Sequence, residues 1–279
     1  MNPHVTPPAS PAALLLSISK HRQLIGQMIR REVVGRYKGS ALGLGWSFFN
    51  PLLMLSVYTF VFSIVFKARW GVSHADAPES KAMFAVVLFI GLIVHALFAE
   101  ILTRAPTLIT GNVNYVKKVV FPLEILPVVT AGAALFHAVV SLGVWLLAYL
   151  IFVGPPHWTL LFLPVIFLPL IILALGCAWI LASLGVFLRD VSQTIGILVT
   201  VLMFTAPVFY PVSNLPPKIQ PLVMLNPLTF IITEARDVAI WGNMPRFDWL
   251  GIYFLVSVLV ASAGFAWFQK TRKGFADVL

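Results

Sequence analysis

The sequence predicts an all-α integral membrane protein: six transmembrane helices, an N-terminal amphipathic interface helix and an external re-entrant helix pair. Three observations predict it. Ile125 to Leu188 is a run of 64 residues without one Asp, Glu, Lys or Arg. A soluble core cannot hide so much unbroken apolar chain, because its elements need polar outer faces. A bilayer can, since about 20 apolar residues cross its hydrocarbon once. The composition agrees, at 59% hydrophobic and only 10% charged, with a mean hydropathy of +0.94. Finally, the net charge of +9 is spread over segments beside apolar spans, a pattern of membrane orientation rather than of nucleic-acid binding.

Taken in order, residues 1–13 read as a disordered, Pro-rich tail. It is no cleavable signal, because Leu14–Leu16 is too short for an apolar core and the basic residues follow it. Residues 14–279 form a single membrane domain. Over 14–38, Leu14, Ile18, Ile25 and Ile29 share a helical face opposed by Arg22 and Arg30. That is an amphipathic helix lying on the cytoplasmic surface, its basic groups toward anionic lipid headgroups. Its candidate interface residues are Arg30, Arg31, Glu32, Arg36 and Tyr37. Glu32 and Arg36, four apart, either pair locally or contact another subunit.

Stretches between charges place spans near 46–66, 82–102, 125–153, 159–188, 192–210 and 249–268. Gly154-Pro155-Pro156-His157-Trp158 turns the chain between the third and fourth. The fifth opens with Ser192-Gln193-Thr194, so its crossing is marginal. An even number puts both termini on one side, and 13 of the 19 Lys and Arg fall on that side. Both termini, including the tail 269–279, are therefore expected on the cytoplasmic side.

Residues 211–246 fit neither span nor simple loop. Asn226-Pro227 starts a helix near Leu228–Trp241 and Gly242 stops it, too short to cross. Pro211, Pro216, Pro217 and Pro221 break up a second short apolar stretch before it. The pair reads as an exit gate, with Phe209, Tyr210, Pro211, Glu234, Arg236 and Asp237 as candidate residues, or as an interfacial lid. Glu234, Arg236 and Asp237 either face a wet path or pair with one another.

The chain has no G-x-x-x-x-G-K-[ST] phosphate loop and no metal-ligand spacing, so no catalytic or metal residues are predicted. Cys177 stands alone. His95 and His137 lie within spans and read as packed, hydrogen-bonded groups rather than relays, with Glu100 and Glu124 at cytoplasmic edges. The energy for any transport comes from elsewhere.

Four pieces then carry a resemblance. They are Arg30-Arg31-Glu32-Val33 through Arg36-Tyr37-Lys38-Gly39-Ser40 with Leu42-Gly43-Leu44-Gly45-Trp46 and Asn50-Pro51-Leu52; Asn112-Val113-Asn114-Tyr115-Val116-Lys117-Lys118 through Phe121-Pro122; Phe187-Leu188-Arg189-Asp190-Val191; and the tail Phe268-Gln269-Lys270 to Gly274–Leu279. Together they resemble type-2 ABC exporter permeases, the half-transporters for O-antigen, teichoic acid and other polysaccharides. Tyr58–Phe62 and Phe66–Gly71 look most like the O-antigen branch.

The resemblance implies a homodimer working with two copies of a separate ATPase, which binds the ATP and Mg; no cofactor belongs to this chain. It implies that 111–121 is a coupling helix docking on that ATPase, with Asn114, Tyr115, Lys117, Lys118, Phe121 and Pro122 as its residues. Lys117 and Lys118 either find acidic partners on the ATPase or are merely positive-inside markers. Arg189-Asp190 is a second contact, or caps the helices on either side. The substrate implied is a lipid-linked polysaccharide. Tyr58, Phe62 and Phe66, spaced by four, either line its path, packing on sugar C–H faces, or serve helix packing and lipid contact. Teichoic-acid, capsule or drug export is the alternative within the family. An ion-coupled carrier is a different class and lacks the internal repeat it needs. A membrane transferase would need clustered carboxylates or histidines.

Overall fold

The computed structural model describes residues 10–61, 70, 81–117 and 121–279, and these are helical with no strand among them. In order, α1 is Pro11–Lys20, α2 Arg22–Tyr37, α3 Trp46–Tyr58, α4 Lys81–Arg104, α5 Val113–Val116, α6 Leu126–Phe152, α7 Leu163–Phe187 and α8 Val191–Thr205. Then come α9 Gln220–Met224, α10 Pro227–Arg236, α11 Phe247–Thr271 and α12 Phe275–Val278. Among the described residues, five stretches are long and apolar enough to cross a membrane: Gly43–Val61, Ala82–Thr107, Leu123–Phe152, Trp158–Phe187 and Phe247–Val278. The chain is a multi-pass membrane protein.

The fifth expected span is shorter than the sequence suggested. Val191–Thr205 has 15 residues, about 22 Å of helix against roughly 30 Å of hydrocarbon. Ala206 leaves the helix with ψ 153° because Pro207 follows, and the residue before a proline avoids the helical region. The predicted helix over 14–38 is also two helices. They part at His21, whose φ is −101° and ψ 16°, so that α1 leans on α11 while α2 lies along α6. The apolar face survives the break: Leu14, Ile18, Ile25 and Ile29 all pack into one cluster with Phe265, Phe268 and Phe275.

α4 is the axis of the bundle. In its most apolar window 78% of residues are buried, against none in Gly43–Val61, so α4 is enclosed and α3 is peripheral. Indole N–H groups tie α6 and α7 to their neighbours: Trp145 donates to Val86 O on α4 at 3.0 Å, and Trp179 donates to Glu124 O at 3.0 Å. α7 and α11 cross closely over their length, through small residues. A Cβ on Gly176 would sit 2.7 Å from Ala261 Cα, and one on Gly264 would meet the Gly176 carbonyl. Close backbone approach through small residues is how helices associate where lipid removes the hydrophobic drive.

The bundle has two differently built ends. Ser17, Glu124 and Arg272 meet at one, joining α1, the entry to α6 and the C-terminal tail. At the other, the turn after α6 meets the segment between α8 and α11: Thr159 Oγ1 donates to Val238 O at 2.6 Å, and His157 lies against Gly242.

Gly264→Leu should lower the thermal midpoint of the purified protein in detergent, by the equivalent of about 1–3 kcal/mol of overpacking. Gly143→Leu should leave it unchanged, since nothing lies within 4 Å of a Cβ there. Equal tolerance at both positions would remove the crossing from the account.

Candidate functional site

Charge concentrates where α2 meets α4 and α6. Glu100 on α4 receives Arg36 Nη1 at 2.5 Å, lies 3.0 Å from His137 Nδ1 on α6, and has Arg104 Nη1 at 3.5 Å. Arg104 also pairs with Glu32 on α2. The sequence pattern explains the geometry: Glu32 and Arg36 lie one turn apart on α2, as Glu100 and Arg104 do on α4, so the two helices offer matching pairs of opposite charge. The pairing is between helices, so the local Glu32–Arg36 ion pair considered from spacing does not form. Burial pushes the Glu32 carboxyl up, and Arg104 pulls against it.

A second polar centre lies beside it. Glu124 accepts from Ser17 Oγ at 2.9 Å and Arg272 Nη1 at 2.8 Å, while Arg272 Nη2 reaches Phe121 O at 2.9 Å. Phe121 stacks on Tyr115 with centroids 4.2 Å apart, and the Tyr115 hydroxyl accepts from Arg31 Nη2 at 3.0 Å. The turns Ala105–Thr107 and Thr110–Asn112 carry the chain from α4 to α5. Gly185 of α7 permits this course, because a Cβ there would strike Pro106. Between α3, α4 and α6 lies a cavity of about 520 Å³, with Arg36, Glu100, Arg104 and His137 at its charged end and Met54, Tyr58 and Phe89 among its apolar lining.

At the opposite end, α10 continues past Arg236 as a π-helical turn, Asp237–Trp241, and stops at Gly242 with φ +69°. Arg236 is buried and donates to three carbonyls: Val87 O at 3.0 Å, Pro207 O at 2.5 Å and Val208 O at 2.7 Å. Its guanidinium also sits 4.2 Å from the Trp70 ring centroid. Glu234 is buried and pairs with Arg246, whose Nε lies at 2.7 Å and whose backbone N–H donates at 2.9 Å. Burial raises the Asp237 carboxyl, and the Glu234 charge adds to it.

The family model described as "ABC-2 type transporter" matches residues 23–240. The chain belongs to the ABC-2 type transporter family. Curated relatives align over nearly full length. An O-antigen export system permease protein of Myxococcus xanthus is 27% identical, covering 95% of this chain and 98% of its own. One of Klebsiella pneumoniae is 25% identical, covering 92% and 95%. A capsule polysaccharide export inner-membrane protein of Neisseria meningitidis serogroup B is 24% identical, covering 92% and 94%. The protein is an ABC-2 permease, a membrane subunit without an ATPase domain of its own.

In this permease the predicted residues fall into two groups by position. Arg31 and Tyr115 are joined, bringing α2 onto α5, the segment expected to act in coupling. Asn114 and Lys117 are exposed there, and Pro122 opens the turn into α6. Arg30, Arg189 and Asp190 are exposed and Tyr37 is half-buried. Asp190 stands at the start of α8, but its side chain makes no capping bond, so the capping reading fails for it. Tyr58 packs half-buried with its ring 6.1 Å from Phe209, which itself stacks 5.7 Å from Phe204. Phe62, Phe66 and Lys118 lie outside the described residues. Tyr210 is within hydrogen-bonding distance of Phe204 O and Thr205 O, and Pro211 follows it. Glu234, Arg236 and Asp237 do not form ion pairs with one another: Glu234 pairs with Arg246, Arg236 turns to main-chain carbonyls, and Asp237 has Asn243 and Arg246 beside it.

Sequence reasoning noted Glu100, Glu124, His137 and Asn226 but not what they join, and gave Arg104 and Arg272 no place in a site. The repeated acid–base spacing on α2 and α4 was the available signal.

Glu100→Gln removes the charge on which Arg36, Arg104 and His137 converge. Hydrogen exchange over 22–37 in the purified permease should then speed up roughly tenfold, about 1.4 kcal/mol of lost docking. Unchanged protection would show that apolar contacts alone hold α2.

Proposed function

We propose that this permease, as a homodimer with two copies of a separate ATPase, exports lipid-linked polysaccharide of the O-antigen kind. The movement is from the cytoplasmic to the outer face of a bacterial inner membrane. The observation carrying this reading is the near end-to-end alignment with an O-antigen export permease, over 98% of that relative's length. A capsule polysaccharide is the second reading, favoured by the Neisseria relative alone.

On this reading six crossings are made by α3, α4, α6, α7, α8 with the chain following it, and α11. The short helices between Pro211 and Trp241 form the external re-entrant pair, and residues 14–279 act as one membrane domain. The meeting of Ser17, Glu124 and Arg272 supports termini on one side, and the excess of Lys and Arg there supports the cytoplasm. The ATPase, carrying ATP and Mg, docks on Asn114, Tyr115, Lys117, Lys118, Phe121 and Pro122, with Arg189 and Asp190 as the smaller contact. Arg30, Arg31, Glu32, Arg36 and Tyr37 pass its motion to α4 and α6. The Arg31–Tyr115 bond and the Glu32–Arg104 and Arg36–Glu100 pairs give that motion a polar route. Tyr58, Phe62 and Phe66 line the glycan path. Phe209, Tyr210, Pro211, Glu234, Arg236 and Asp237 form the exit.

The purified permease should hydrolyse no ATP alone, and should do so only when the cognate ATPase is added. Replacing Lys117 and Lys118 together with Glu sets like charge against the acidic groups these lysines meet on the ATPase, which costs several kcal/mol. Surface glycan should disappear and ATPase co-purification should fall while the permease still inserts. Normal glycan display with normal co-purification would rule out coupling through these lysines.

A further inference from the structure

α8 stops about 8 Å short of a full crossing, so its terminal carbonyls end where water is scarce. The last C=O groups of a helix have no partner within it, and at membrane depth each must find one in the protein. Side chains from the following segment reach Phe204 O and Thr205 O, and add a second donor at Leu202 O, which already accepts the Ala206 N–H at 2.9 Å. Asn226 Nδ2 donates to Leu202 O at 2.9 Å and to Thr205 Oγ1 at 2.9 Å. The Tyr210 hydroxyl lies 3.1 Å from Phe204 O and 3.2 Å from Thr205 O. Ala206 O accepts the Val208 N–H, and Arg236 takes the two carbonyls after it, Pro207 O and Val208 O.

Asn226 serves both sides of this joint. Its Oδ1 accepts from Leu228 N–H at 2.9 Å, so the same amide that caps the end of α8 also starts α10. Buried on all but 7% of its surface, it has no water to fall back on. Arg236 extends the joint to α4 through Val87 O. Gly91 leaves room for this, since a Cβ there would sit 2.6 Å from Arg236 Nη2. Elsewhere along α8 the side chains of Ile197, Leu198 and Val201 are exposed.

We propose that α8 and the segment 207–241 form one rigid gating body, and that Asn226 is the positioning residue that joins them. A displacement imposed at Arg189-Asp190, where α8 begins, is carried by the helix and delivered whole to the exit. No hinge lies between helix and exit. The proposal rests on the reading of this permease as an ATP-driven exporter.

The test uses the full permease–ATPase complex, with surface glycan read in a strain lacking its own permease and ATP hydrolysis read on the purified complex. Asn226→Ala should reduce export roughly tenfold, the worth of a buried hydrogen-bonded joint, while hydrolysis per complex is unchanged. A purely structural role would lower hydrolysis and complex yield in step with export. Thr205→Cys with Asn226→Cys, in a Cys177→Ala background, replaces the hydrogen bond by two thiols. Export should be low when they are reduced and should recover when a short bis-methanethiosulfonate reagent links them. Export that stops on linking and returns on reduction would overturn the proposal, because the parts would then have to move past each other. Normal export by Asn226→Ala would also overturn it. If the unaltered permease fails to restore glycan export in that strain, the exporter reading fails instead, whatever the linked variant does.

Discussion

A polar group at membrane depth has no water to turn to, and that one constraint organises this protein. Glu100, Glu124 and Glu234 each have a basic partner supplied from another part of the chain. Arg236 finds main-chain carbonyls in place of a carboxylate. These demands fix which elements must touch. α2 has to lie where Glu32 and Arg36 can answer Arg104 and Glu100, and the C-terminal tail has to fold back to Glu124. The apolar stretches between the polar centres carry no such information, and small residues such as Gly176 and Gly264 decide how closely they pack.

The two polar levels communicate through α4. Glu100 and Arg104 stand at one end of this helix, while Val87 and Gly91 receive Arg236 toward the other. α4 is enclosed for most of its length, so it behaves as a fixed pillar with α6, α7 and α11 packed around it. α3 and α8 lack such enclosure. α8 is tied along its length by His95, whose Nε2 lies 3.2 Å from Val199 O, and at its end by Asn226 and Arg236. The polar ties that hold α8 and its following segment against α4, His95 to Val199 O and Arg236 to Val87 O, are few and discrete, and they suit a body with more than one stable position against that pillar, because each is either made or broken.

Much of this architecture was legible in the sequence because hydropathy and helix punctuation are local. The charge-free run from Ile125 to Leu188 became α6 and α7 with the turn at Gly154, and Asn226-Pro227 with Gly242 bounded a helix close to the expected one. The failures were of two kinds. Helix length at a marginal span turned on Pro207, which ends α8 earlier than hydropathy alone suggests. Pairing across the fold was invisible, since Glu32 with Arg36 and Glu234 with Arg236 look like neighbours in sequence yet find partners 72 and 12 residues away, Arg104 and Arg246. Of the site, the local join of Arg31 to Tyr115 needed two predicted pieces to fold together, and nothing in either piece specified that contact.

The distribution of packing also says where this permease can change shape. Separating α7 from α11 would undo a crossing in which backbone meets backbone, leaving gaps that no side chain is long enough to fill. On the other side of α4 the structure already has room: the cavity of about 520 Å³ between α3, α4 and α6. A rigid half and an accommodating half therefore share α4 as their boundary. The charged cluster at Glu100 lines the cavity and also binds α2. Any movement of α2 must rearrange that cluster, and with it the charged end of the space beside α3, before it disturbs the packed half.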